Sequence, residues 1–114
     1  MNLGEVVSRL SIDRGKFRDY ALDPDNPTGR HKALVFQRRL GYYRENYEGL
    51  FVQIEVRVMD CEAIAMILDK YGQRYQVDLE VVGIAGERAI VRTGWIVEPR
   101  AEDCARLVTL YVRK

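Results

Sequence analysis

Three groups of residue types in this chain carry chemistry. Arg30, His31 and Lys32 follow a stretch dense in turn formers, Asp23-Pro24-Asp25-Asn26-Pro27-Thr28-Gly29, and open a run with helical apolar spacing. Unpaired amides and the positive end of a helix dipole favour an anion there, so a phosphate is one occupant. The plain alternative is three solvated basic side chains. Arg92 stands between Val91 and Thr93 in a strand-like run, where a long cation must reach a groove or pair across strands with Asp78 or Glu80. Arg88 and Arg106 fall on the same stranded region. Trp95 shares strand parity with Thr93, and the sole indole of the chain either stacks on a base or fills the core. Thr109 and Tyr111 share one face of the last run. Their hydroxyls either donate to a phosphate or a reacting 2′-oxygen or simply reflect β propensity. Tyr75 adds an aromatic hydroxyl on a third run.

The elements that must position these residues divide into two halves. Leu3, Val6, Val7 and Leu10 predict a short amphipathic helix over 1–10, weakened by Gly4 and ended by Ser11 to Gly15. Lys16 to Leu22 anchors Phe17 and Tyr20 ahead of the proline-rich loop. Ala33, Phe36 and Leu40 predict a helix from about Arg30 to Tyr42, with Gly41 as its terminator. A second, from about Asn46 through Val58, buries Leu50, Phe51, Ile54 and Val58, with Asn46 as cap. After Asp60 the period becomes two. Strands are predicted over Ala63–Asp69, Arg74–Val82, Arg88–Glu98 and Arg106–Arg113, joined by turns at Tyr71-Gly72-Gln73 and Gly83–Glu87 and a loop at Pro99–Ala105. The expected fold is α+β, with N-terminal helices followed by a four-stranded antiparallel β-meander. One domain is expected over 1–114, mainly helical over 1–60 and sheet over 61–114.

Composition bounds the function. An apolar fraction of 47% with 31% charged residues is that of an ordinary globular protein. A formal net charge of +1 excludes an overall basic field, so any nucleic-acid site must be local. No window approaches the roughly 18 apolar residues of a membrane span, and Glu5 and Arg9 interrupt the start where a signal peptide needs an apolar run; a cytoplasmic product is expected. Cys61 and Cys104 lack neighbouring Cys or His at metal-ligand spacing and read as small buried or half-buried thiols. With His31 alone, a His-rich zinc site and a catalytic His pair are excluded, and no metal or cofactor is expected. The sheet edges carry no obvious proline protection, so a homodimer is one possible assembly.

Several short motifs occur in a recognisable order. They are Leu22-Asp23-Pro24-Asp25-Asn26-Pro27, Gly29-x-x-Lys32-Ala33-x-x-Phe36, Leu40-Gly41-Tyr42, Tyr71-Gly72-x-x-Tyr75-x-Val77, Val91-Arg92-Thr93-x-Trp95-Ile96 and Arg106-Leu107-Val108-Thr109-x-Tyr111. In this succession the chain resembles, over about 16–112, an uncharacterised bacterial domain family seen alone or at the ends of toxin-like or phage-related chains. That family in turn resembles the barnase, EndoU, colicin tRNase and RelE superfamily, whose sheet cleaves RNA. The resemblance implies a metal-independent attack of a ribose 2′-hydroxyl on the adjacent phosphate. It assigns Lys32 with His31 to cation or acid/base work, Arg92 to the phosphorane, and Thr109 and Tyr111 to positioning the hydroxyl, with Arg30, Thr93, Trp95 and Tyr75 as substrate contacts. The glutamate base of barnase has no counterpart here, and the lone histidine departs from EndoU-type pairs. A competing class is a non-catalytic protein-binding module, antitoxin- or immunity-like, in which Arg92, Trp95 and Tyr111 anchor an interface with a small cognate partner. A degenerate nuclease that keeps only RNA binding is a third.

Overall fold

The computed structural model describes residues 1–113. Its centre is a mixed sheet of five strands, β1 (Arg9–Ser11), β2 (Ala63–Asp69), β3 (Gly72–Val82), β4 (Arg88–Val97) and β5 (Cys104–Val112), in the order β1-β5-β4-β3-β2. β2 to β5 run as antiparallel neighbours, and β1 joins the far side of β5 in parallel, pairing Arg9 with Cys104 and Ser11 with Arg106. The expected four-stranded antiparallel meander behind N-terminal helices is therefore corrected. A strand precedes the two long helices, and the sheet has five strands of mixed direction.

The cause lies in the first ten residues. The opening helix, α1, covers only Leu3–Val6, because Val7 turns extended at φ −133° and ψ 159°. Beyond it the amides of Ser8 and Arg9 both donate to the Asp103 carbonyl, each at 2.9 Å, which delivers the chain alongside β5. The Arg9 guanidinium clasps the Asp103 carboxylate at 2.9 Å. Leu10, read as the end of a helical stripe, is a strand residue half-buried against the core.

Lys16–Ala21 forms a π-helical turn that buries Phe17 and Ala21. α2 (Arg30–Leu40) buries Ala33, Phe36 and Leu40, and Gly41 ends it at φ 74°, a left-handed value suited to glycine. α3 (Glu48–Arg57) starts later than expected. Asn46 is not its cap: the side chain accepts from the Tyr43 amide and donates to the Gly41 carbonyl, closing the turn between the helices. Both helices cover the face of the sheet formed by Val77, Leu79, Val81, Val91 and Leu110, with Trp95 and Leu107 in the same core. Among the described residues no helix is long and apolar enough to cross a membrane.

Candidate functional site

Strand parity sorts the candidate residues onto two faces. Thr93 and Trp95 point into the core, at 0% and 1% exposure. The Trp95 indole N–H donates to Thr93 Oγ1 at 2.7 Å, and the Thr93 hydroxyl donates to the Val77 carbonyl at 2.7 Å. Each polar atom has its partner inside, so this indole has no free donor to offer a base, although Thr93 and Trp95 both border a depression between β2 and β5. Tyr75, level with Trp95 on the neighbouring strand, is half-buried and packs against the same core.

On the opposite, outer face two lateral rows form across β3, β4 and β5. Asp78, Arg92 and Tyr111 are in register with one another, and so are Gln76, Gly94 and Thr109. In the first row the Arg92 fork binds Asp78 through both oxygens, Nε to Oδ1 at 2.9 Å and Nη2 to Oδ2 at 3.1 Å. Of the two partners considered for Arg92, the structure selects Asp78; Glu80 is taken by Arg88 at 2.9 Å. The hydrogen bonds that the guanidinium donates to Asp78 first, and the Tyr111 hydroxyl second, hold it charged and push its pKa upward. Arg113 also reaches Asp78 Oδ2, at 3.3 Å. Two guanidiniums thus share one carboxylate, so the row keeps a net positive charge.

α2 adds to it. Its first turn lies at the C-terminal half of β5, beyond the stretch that β1 pairs, and Lys32 Nζ sits 4.7 Å from the centroid of the Tyr111 ring. His31, Lys32, Val35, Arg92, Tyr111 and Arg113 line a cavity of about 440 Å³. Four of the five residues assigned to chemistry, separated by as many as 80 positions in the chain, therefore meet in one place. The fifth, Thr109, lies in an adjoining depression that shares Arg92 and Tyr111 with the first. Arg30 is exposed and lines neither, and Arg106 is paired with Glu98 at 3.0 Å.

What such a site can do follows from its groups. It offers cations from two elements, a phenol polarised by an ammonium on its ring and by a neighbouring guanidinium, and an exposed imidazole, the side chain best suited to move protons near neutral pH. That is an anion site with proton donors at its rim. Among the described residues no three His, Cys, Asp or Glu side chains gather as a metal-holding group. Sequence reading missed Arg113, which sits just past the last strand, and Gly94, whose place in mid-strand was itself a signal of close approach.

Burial raises the pKa of the Cys61 thiol, and Cys104 is buried.

No curated protein matches the chain. Among solved structures it is similar to a contact-dependent growth inhibition toxin–immunity protein complex from Klebsiella pneumoniae 342, with a TM-score of 0.66 and 15% identity over 90% of this chain and 98% of that one. At that identity the likeness is one of fold. The sequence itself is more specific: a family model covers residues 2–114, and the chain belongs to the family described as Domain of unknown function (DUF6883).

Proposed function

We propose that the chain is a toxin-like endoribonuclease that cleaves RNA without a metal. The observation that supports this reading is the meeting of His31 and Lys32 from α2 with Arg92 and Tyr111 from the sheet in one cavity. In the proposed step the ribose 2′-oxygen attacks the adjacent phosphorus, the bond from phosphorus to the 5′-oxygen breaks, and a 2′,3′-cyclic phosphate results. The 2′-hydroxyl loses its proton to a base, and the leaving 5′-oxygen gains one from an acid. His31 serves one of these roles. Lys32 and Arg113 hold the phosphate, Arg92 takes up charge on the phosphorane, and Tyr111 orients the attacking hydroxyl. The resemblance to the barnase, EndoU, colicin tRNase and RelE enzymes supports the same chemistry, and likeness in fold to a protein of a toxin–immunity pair supports the setting.

The test is cleavage of labelled RNA in excess EDTA. Wild type should leave 2′,3′-cyclic ends, and His31→Ala should lower the rate by about 10²–10⁴-fold. Lys32→Ala should lower it as well. Neither residue is in the buried core, so both variants should keep the native circular dichroism.

One further observation favours a second reading, a non-catalytic antitoxin- or immunity-like module. β2 is an edge strand whose Ile64, Met66, Ile67 and Leu68 are 50–72% exposed, the kind of row a partner protein covers. Wild type that leaves RNA intact in both EDTA and magnesium would favour that reading over the nuclease.

A further inference from the structure

Beside the anion cavity lies the adjoining depression of about 270 Å³, and we infer that it is a nucleobase pocket serving the nucleotide next to the bound phosphate. The inference rests on the proposed anion site for its neighbour and on its own geometry for its ligand. Its floor is the second lateral row, Gln76, Gly94 and Thr109. Gly94 leaves the trough open: a Cβ there would stand 3.0 Å from Thr109 Cγ2. Met66 and Ile67 of β2 form an apolar wall, and the Arg92 and Tyr111 side chains bound the opposite end. A volume of this size suits one small ring system rather than an extended ligand.

The polar groups are placed for a flat heteroaromatic ring. Arg92 and Tyr111 offer planar surfaces on which a base stacks, and the Gln76 amide, on the row between them and the wall, offers both a donor and an acceptor to a base edge. Thr109 Oγ1 is buried with no hydrogen-bond partner among the described residues, while its methyl faces Gly94. A turn about χ1 exchanges the two and presents the hydroxyl to the trough, so a ligand with a polar edge supplies the missing partner. The two rows lie two residues apart along each strand, about 7 Å, so phosphate and base sites fall within one nucleotide's reach.

Binding tests this without turnover. The intact chain is titrated with the four nucleoside 3′-monophosphates and with inorganic phosphate, read by fluorescence of Trp95, which lines the depression, and by amide chemical shifts of β4. At least one nucleotide should bind about tenfold tighter than inorganic phosphate, the range of one stacked base. Gly94→Val should reduce that ratio to near one. Gln76→Leu, on the solvent side of the sheet where folding is not at stake, should change the ranking of the four bases. Nucleotides that bind no tighter than phosphate, or a ranking untouched by Gln76→Leu, would overturn the pocket and leave the depression to a side chain of a partner protein. The two readings fail separately. Intact RNA with base-selective nucleotide binding removes the nuclease and keeps the pocket; RNA cut with no effect of either substitution on base preference does the reverse.

Discussion

Thr93 and Thr109 sit on neighbouring strands, one facing the helices and the other facing away from them, and their surroundings differ completely. The inner hydroxyl accepts from Trp95 and donates to Val77, and nothing in it is left to offer. The outer hydroxyl is buried and has no partner among the described residues. The same contrast separates Trp95, whose N–H is bonded inside at 1% exposure, from Tyr111, which lines both cavities. A hydroxyl and an aromatic ring are structural where their bonds are closed within the core and available where the neighbouring strand contributes glycine and arginine instead. The difference between the two faces of β4 is therefore the difference between holding the sheet and using it.

Substitutions that separate stability from binding break or confirm this division. The largest effect belongs to the inner face: Trp95→Ala should cost about 3–5 kcal/mol, because it leaves a cavity and removes one of the two hydrogen-bond partners of Thr93. Urea unfolding would read it, as a lower midpoint with little change in slope. On the outer face Arg92→Ala should do the opposite. Asp78 keeps Arg113, so no carboxylate is stranded, and stability should fall by about 1 kcal/mol or less. Cleavage of RNA, or binding of a phosphate where no cleavage is seen, should fall by about 10²-fold or more. An Arg92→Ala protein as destabilised as Trp95→Ala would show that Arg92 holds the sheet rather than serving the site.

How much of this was legible beforehand depends on whether the interaction is local. Period-two alternation in Arg74–Val82 and Arg88–Glu98 gave β3 and β4 within a residue or two, and parity correctly grouped Thr93 with Trp95 and Thr109 with Tyr111. β1 was hidden for a physical reason. Its three residues pair in parallel with a strand more than 90 positions away, and their register is set by the Asp103 carbonyl and carboxylate, neither of which leaves a mark on residues 9–11. The helical spacing of Leu3, Val6, Val7 and Leu10 was genuine as a pattern of burial, but two different elements produce it. β2 was placed correctly, yet its side chains from Ile64 onward are exposed, which alternation alone does not foresee in an apolar run. For the site, residue type pointed to Lys32 and Arg92. Only the fold brings α2 to the free half of β5 and Arg113 to Asp78.

β5 itself offers the last and smallest contrast, between the half that β1 covers and the half that faces the anion cavity. At the covered end, hydrogen bonding from Arg9 holds the Asp103 carboxyl below its ordinary range. A carboxyl with a depressed folded pKa adds stability above its unfolded value of about 3.9, and loses it as pH falls through the folded value. Both side chains are open to solvent, so the contribution is modest and weakens in high salt. Asp103→Asn should therefore speed hydrogen exchange of the β1 amides at neutral pH. The variant and wild type should converge once acid has protonated Asp103. Backbone amides near Arg92 and Tyr111 should not respond to the substitution at either pH. If they do, the two halves of β5 open together, and the site is not insulated from the strand that was added at its far end.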